Sequence, residues 1–250
     1  MAELASPGPV TPLLELRGVS VNYGKFRALT EVDYTVLPGQ VVALLGGNAS
    51  GKSTSMKTIS GTTTVTAGEI LWKGETITRE PTPKRMARGI GVVPEGRRVF
   101  ASLSVLENLQ LGAWAGAARR ATPEDIEEML ELFPPLRKLL SRHAGVLSGG
   151  EQQMVAFARA LIKHPELVIM DEPSMGLAPA LVSRVFEIIE QVKERGIAVF
   201  IVEQNARAAL RVADHAYVLS AGRVVVSGPS AVVADDPLMT EAYLGKRNTA

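Results

Sequence analysis

The sequence predicts an α/β fold in which a phosphate-binding loop joins a buried strand to a helix, with an antiparallel β flank and an inserted helical segment. Three observations predict it. The runs VVALL (41–45), LVIM (167–170) and AVFIV (198–202) are strand-sized and wholly apolar, as strands covered on both faces are. The first of them runs straight into the glycine-rich string LLGGNASGKST at 44–54. Between about 101 and 163, apolar residues recur instead at three- and four-residue spacing, the mark of amphipathic helices.

From residue 13 to about 45, LLELRGVSVNYG, the stretch around Ala28 to Leu37 and QVVALLG alternate with Gly and Pro turns. They read as an antiparallel flank feeding a buried strand. Residues 51–59 read as a short helix, and GEILWKG and GIGVVPE as strands. The segments SVLENLQLGAWAG, TPEDIEEMLELFPPL and SGGEQQMVAFARALIKH carry the helical period. Thr122-Pro123-Glu124-Asp125 opens the second of these with a cap hydroxyl, a first-turn proline and acids beside the positive helix end. Beyond 166, LVIM, AVFIVE, AYVLS and GRVVVSG alternate with helices again, which predicts a parallel sheet with crossovers. One domain over 13–245 is expected, its core at about 13–100 and 158–230, its helical part at about 101–157, with tails at 1–12 and 246–250.

A chain of 250 residues buries roughly 70–75% of the surface it exposes unfolded, enough for a sizeable core. With 27 basic and 26 acidic residues, net +1, global charge makes no case for nucleic acid or an anionic membrane as partner. Zero cysteines exclude a disulfide framework and thiolate zinc, and fit a reducing compartment. MAELASPGPVTP lacks the basic end and apolar stretch of an export signal. No apolar run approaches the roughly 18–20 residues that span a bilayer, so service to a membrane is expected from outside it.

Gly46, Gly51, Lys52 and Ser53 meet the pattern G-x-x-x-x-G-K-[ST], after a strand and opening a helix. Across Gly46, Gly47, Asn48, Ala49, Ser50, Gly51, Lys52, Ser53 and Thr54, backbone N–H groups can converge on a β-phosphate at a positive helix end. Lys52 would bridge the β- and γ-phosphates and Ser53 would ligate Mg²⁺. LVIMDEP supplies Asp171, at a strand end, for the Mg²⁺ shell, and Glu172 to orient or deprotonate an attacking water. LSGGEQQ (147–153) places Ser148, Gly149, Gly150 and Glu151 at another helix start, a second phosphate-binding surface that would complete another subunit's nucleotide. An ordinary glycine-capped helix start is the alternative.

With these motifs in this order, the chain resembles the ABC ATPases over about residues 13–245. The resemblance implies a RecA-like P-loop NTPase core, ATP and Mg²⁺, and LSGGEQQ closing over ATP held by the partner subunit. It places Tyr23, in VNYGKFRAL, as the ring that stacks on adenine, against the alternative of an edge-strand core tyrosine. It makes 101–157 the subdomain that meets a membrane partner. VPEGRRVF, EQQM, DEPSMGLAP and VEQNARAAL resemble the second ATPase subunit of branched-chain amino acid importers and their urea or amide relatives. Such subunits work at the cytoplasmic face with a sister ATPase or a second copy and two permeases, fed by an extracytoplasmic solute-binding protein. No nucleic acid is implied. A soluble ABC-type ATPase of repair or translation is the competing class, and a small-molecule kinase would leave LSGGEQQ unexplained.

The chain departs from the general family pattern at four places. Glu95 stands where most members have Gln, still able to bind Mg²⁺ or water. Gln204 replaces a switch histidine; its amide can hydrogen-bond a γ-phosphate but carries no proton near pH 7. Ala178 replaces an acid, and Ala49 a glycine, which requires a negative φ at Ala49. His143, His164 and His215 read as surface, boundary or helix-end residues, and Trp114 reads as the better permease contact of the two tryptophans. Arg97 and Arg98 read as a salt-linked turn beside Glu95, or as phosphate or permease contacts.

Overall fold

A computed structural model describes residues 10–114 and 120–239. The expected tail residues 1–9 and 246–250, the expected domain end at 240–245 and the end of the first insertion segment beyond Trp114 lie outside the described residues.

Strands β1 (Leu14–Tyr23) and β2 (Phe26–Val36) form an antiparallel hairpin. Next, β3 (Val41–Leu45) runs through the phosphate loop into α1 (Lys52–Ser60). The chain returns to the hairpin with β4 (Ala67–Trp72) and β5 (Glu75–Thr76), and reaches β6 (Ile90–Val93) by way of α2 (Thr82–Ala87), a helix the apolar period does not announce. The insertion holds α3 (Val105–Gly112), α4 (Pro123–Leu132) and α5 (Gly149–Leu161). Then follow β7 (Leu167–Asp171), α6 (Pro179–Glu194), β8 (Ala198–Glu203), α7 (Ala206–Val212), β9 (His215–Ser220), β10 (Arg223–Pro229) and α8 (Ser230–Ala234).

The hairpin sheet has the order β2-β1-β4-β5 and the other β10-β9-β3-β8-β7-β6. From β9 to β6 the second sheet is parallel. The last strand departs from the expected crossover pattern: β10 turns back antiparallel on β9. Its two-residue turn, Ala221 (φ 46°) and Gly222 (φ 75°), has both residues left-handed, which matches the twist of a tight hairpin and leaves no chain length for a crossover.

Alternation along β3 shows why its run is unbroken. Val42 and Leu44 join the core under the hairpin sheet with Leu14, Leu29 and Phe200, while Val41, Ala43 and Leu45 face the helices. That helix-side core is continuous into the insertion through Leu109, Phe133 and Phe157. Each large side chain so buried contributes about 1.5–3 kcal/mol, so the insertion is held to the parallel sheet by shared packing. Its second helix starts as its sequence requires. Thr122 Oγ1 accepts the Asp125 N–H at 3.2 Å, and the Asp125 carboxylate accepts the Thr122 N–H at 2.8 Å.

The three histidines keep structural surroundings. His164 (φ 50°) ends the α5 turn, and its ring lies 3.1 Å from Asp125 and 3.5 Å from Glu128, so it faces two acids of α4. His143 Nδ1 lies 2.9 Å from the Ser102 carbonyl. His215 packs against Tyr217, and burial holds its pKa below the usual value. Trp72 is buried, whereas Trp114 is 71% exposed.

Candidate nucleotide-binding site

The loop between β3 and α1 needs its glycines. Gly46 has φ 152°, and a methyl group there would lie 2.3 Å from the Leu219 carbonyl oxygen; at Gly51, φ 110°, it would lie 2.8 Å from that of Ala28. Gly51 is also the N-cap of α1 and brings no side-chain cap, so the helix start stays open to a ligand. Lys52 is 5% exposed and donates from Nζ to the Gly46 and Gly47 carbonyls at 2.9 and 3.0 Å. Burial lowers its pKa, against the charges of Glu172, Asp171 and Glu203.

The expectation of a negative φ at Ala49 fails: its φ is 59°. The Ser50 N–H bonds the Gly47 carbonyl at 3.3 Å, which makes Ala49 the third residue of a turn, a position that type II geometry places at positive φ. The methyl group is carried there at a cost of about 1 kcal/mol.

Two acids follow β7. The Asp171 Oδ1 atom is buried and has no hydrogen-bond partner, and its carboxyl is pushed up to about 6 by burial and by the charges of Glu95 and Glu172. Glu172 is left-handed (φ 45°), its N–H donates to the Val202 carbonyl at 2.9 Å, and its carboxylate lies 3.8 Å from Lys52 Nζ. Gln204 joins it to the loop. The amide Nε2 donates to Asn48 Oδ1 at 2.9 Å and to both Glu172 oxygens at 3.1 Å. Reversing the amide would set its oxygen against the two acceptor-only Glu172 oxygens, so this orientation is dictated.

Asn48–Thr54, Glu95, Glu172 and Gln204 line one cavity of about 410 Å³ together with Phe26, Ala28 and Met175. Tyr23 and Phe26 face each other across the β1–β2 hairpin. The ring that lines the cavity is that of Phe26, 65% exposed; Tyr23 sits beside it with its hydroxyl accepting from Thr63 at 3.3 Å. Phe26 and Met175 went unmarked in the sequence. An aromatic two residues past a Tyr-Gly turn was the available signal for the first; Met175 offered none.

Ser148–Glu151 line no part of this cavity. Ser148 caps α5 through a reciprocal box: its N–H and Oγ meet the Glu151 carboxylate at 2.7 Å, and its Oγ accepts the Glu151 N–H at 3.4 Å. Those bonds hold the Glu151 carboxyl below the usual range. The Gly149 and Gly150 N–H groups carry no hydrogen bond within the described residues. A methyl at Gly149 would lie 3.0 Å from the Arg97 guanidinium, and at Gly150 2.9 Å from Leu181. Arg97 (φ 66°) thus lies against Gly149, and Arg98 (φ 44°) donates to the Glu95 carbonyl at 3.4 Å.

A family model described as "ABC transporter" matches residues 29–175. The chain belongs to the ABC transporter family. It is 44% identical to the high-affinity branched-chain amino acid transport ATP-binding protein BraG of Pseudomonas aeruginosa over 93% of this chain and all of that one. It is 37% identical to a probable branched-chain amino acid transport ATP-binding protein, LivF, of Archaeoglobus fulgidus, over 85% of this chain and 91% of the relative. A nucleotide-free ATP-binding cassette from an ABC transporter superposes with a TM-score of 0.84 at 29% identity, covering 94% of this chain and all of that one. The protein is therefore an ABC ATPase with the P-loop NTPase fold. No helix among the described residues is long and apolar enough to cross a membrane.

Proposed function

We propose that this ABC ATPase is the ATP-hydrolysing subunit of a membrane importer for branched-chain amino acids or similar small solutes, bound peripherally at the cytoplasmic face. It pairs with a sister ATPase or a second copy, drives two permease subunits, and depends indirectly on an extracytoplasmic binding protein. The domain runs over 13–245. The 44% identity to BraG over nearly the whole chain supports the solute class. The observation that carries the paired mechanism is that the phosphate-loop cavity holds Lys52, Glu172 and Gln204 but none of Ser148–Glu151.

The loop residues 46–54 grip the α-, β- and γ-phosphates of this chain's ATP, and Lys52 exchanges its two carbonyl contacts for phosphate oxygens. Phe26 and Tyr23 offer ring faces to the adenine. The N–H groups of Gly149 and Gly150, which carry no hydrogen bond within the described residues, close over the partner's γ-phosphate. Oxygen donors with an unpartnered buried carboxylate oxygen fit a hard cation, so Ser53, Asp171 and Glu95 would hold Mg²⁺, which when bound neutralises phosphate charge. Glu172, held by the Gln204 amide, orients a water and takes its proton as oxygen attacks the γ-phosphorus. The bond to the β–γ bridging oxygen breaks, giving ADP and phosphate. Gln204 itself moves no proton.

The permease seat is a groove of about 760 Å³ between α2 and β6 on one side and α3 and α5 on the other. Trp114 and Phe100 line it, and Arg159 lies 5.2 Å over the Phe100 ring with its buried Nη1 unbonded. The test is solute-stimulated ATPase activity of the intact complex, with its co-purifying subunits identified. Ser148→Arg leaves ATP binding by the isolated subunit intact and abolishes coupled transport. Equal loss of isolated binding would refute the cross-subunit role.

A further inference from the structure

The Glu172–Gln204 pair is assembled from two chain segments, and one buried carboxylate touches the backbone of both. Glu203, the last residue of β8, is 2% exposed. Its Oε1 accepts the Ser174 N–H at 2.9 Å, and its Oε2 accepts the N–H of Gln204 at 3.1 Å and of Asn205 at 3.4 Å. Ser174 stands two residues past Glu172, in the turn that the left-handed Glu172 begins. Burial pushes the Glu203 carboxyl up, and these same hydrogen bonds pull against that rise. A carboxylate is acceptor-only, so it suits three converging donors where hydroxyl or amide groups would not.

We propose that Glu203 is a positioning residue for ATP hydrolysis. It ties the backbone after Glu172 to the backbone of Gln204, so that one amide reaches both Glu172 oxygens while still meeting Asn48. The inference rests on reading Glu172 and Gln204 as the hydrolytic pair. Glu203→Gln keeps the size and brings one NH₂ group; whichever way the amide turns, a backbone N–H faces a donor. The two segments then lose their common anchor, and small displacements of a reacting group are costly in rate.

The experiment measures ATPase kinetics of the assembled transporter carrying Glu203→Gln, Gln204→Ala, both together, and Glu172→Gln. Glu203→Gln lowers kcat about 10- to 100-fold with KM for ATP within about threefold. In the Gln204→Ala background the same change costs less than about threefold, because the group being positioned is gone. A kcat like that of the wild type, or a loss of undiminished size in that background, overturns the proposal. Should Glu203→Gln fail to assemble, Glu203→Asp keeps both oxygens and must show a smaller loss confined to kcat; equal changes in kcat and KM refute it. If Glu172→Gln leaves turnover intact, the underlying pair is wrong; if it abolishes turnover while Glu203→Gln does not, only the positioning role fails.

Discussion

Two glycine-rich helix starts in this chain, Gly46–Lys52 and Ser148–Gly150, look alike in sequence and differ in every physical respect that matters. The first is a complete cradle: no side-chain cap, a buried lysine inside the loop, and a cavity bounded by Glu95, Glu172 and Gln204. The second stands apart from that cavity: its cap is closed by Glu151, its glycines pack on Arg97 and Leu181, and none of its residues lines the phosphate-loop cavity. A helix N-terminus becomes a binding site by what surrounds it. Under the proposed pairing, one chain supplies only backbone donors here and another supplies the rest.

The largest expected effect separates the two starts by binding. Lys52→Ala weakens ATP binding by the isolated subunit about 100-fold or more, since the one buried cation of the loop is lost, whereas Gly149→Ala changes that affinity less than about twofold. Titration calorimetry on each variant measures both, and comparable losses would erase the distinction.

Stability divides them next. Gly46→Ala drives a methyl into the Leu219 carbonyl at a left-handed φ, and costs about 3 kcal/mol. At Gly149 the obstacle is the end of a flexible arginine, and alanine there changes stability by less than about 0.5 kcal/mol. Urea unfolding of the nucleotide-free subunit reads the difference.

The smallest effect sharpens the electrostatics of the complete site. The Asp171 carboxyl is raised in the fold to about 6, so the folded state binds its proton more tightly than the unfolded chain does. The resulting cost is absent below about pH 4, grows between about pH 4 and 6, and is full above. Asp171→Asn therefore stabilises the nucleotide-free protein at pH 7 by about 1–2 kcal/mol, allowing for the solvent that reaches the group, and the gain disappears by about pH 4. Tm as a function of pH checks the sign.

Much of this was legible in the chain because it is local. Strand-sized apolar runs, the loop ending in Lys52, the Thr122 cap and the acids after LVIM depend on neighbours a few residues away. The parallel reading failed at β10 because a two-residue turn and a crossover begin from the same apolar alternation, and only the left-handed pair at 221–222 separates them. Ala49 was misjudged because φ is set by the turn from Gly47 to Ser50, not by the residue's preference. Glu203 stayed invisible as the polar end of AVFIVE, since the donor that ties it to the other segment, the Ser174 N–H, lies 29 residues away in a loop that its strand position alone does not place.

By itself the sequence determined that a phosphate-gripping loop follows a doubly buried strand and that an acid pair ends another. Spacing along one backbone suffices for both. Only the tertiary structure decided that the Gln204 amide meets Glu172 and Asn48 together, that Phe26 lines the cavity, and that Ser148–Glu151 stand outside it. Those are distances between segments more than 20 residues apart, and they are set by how the two cores pack on the sheet between them.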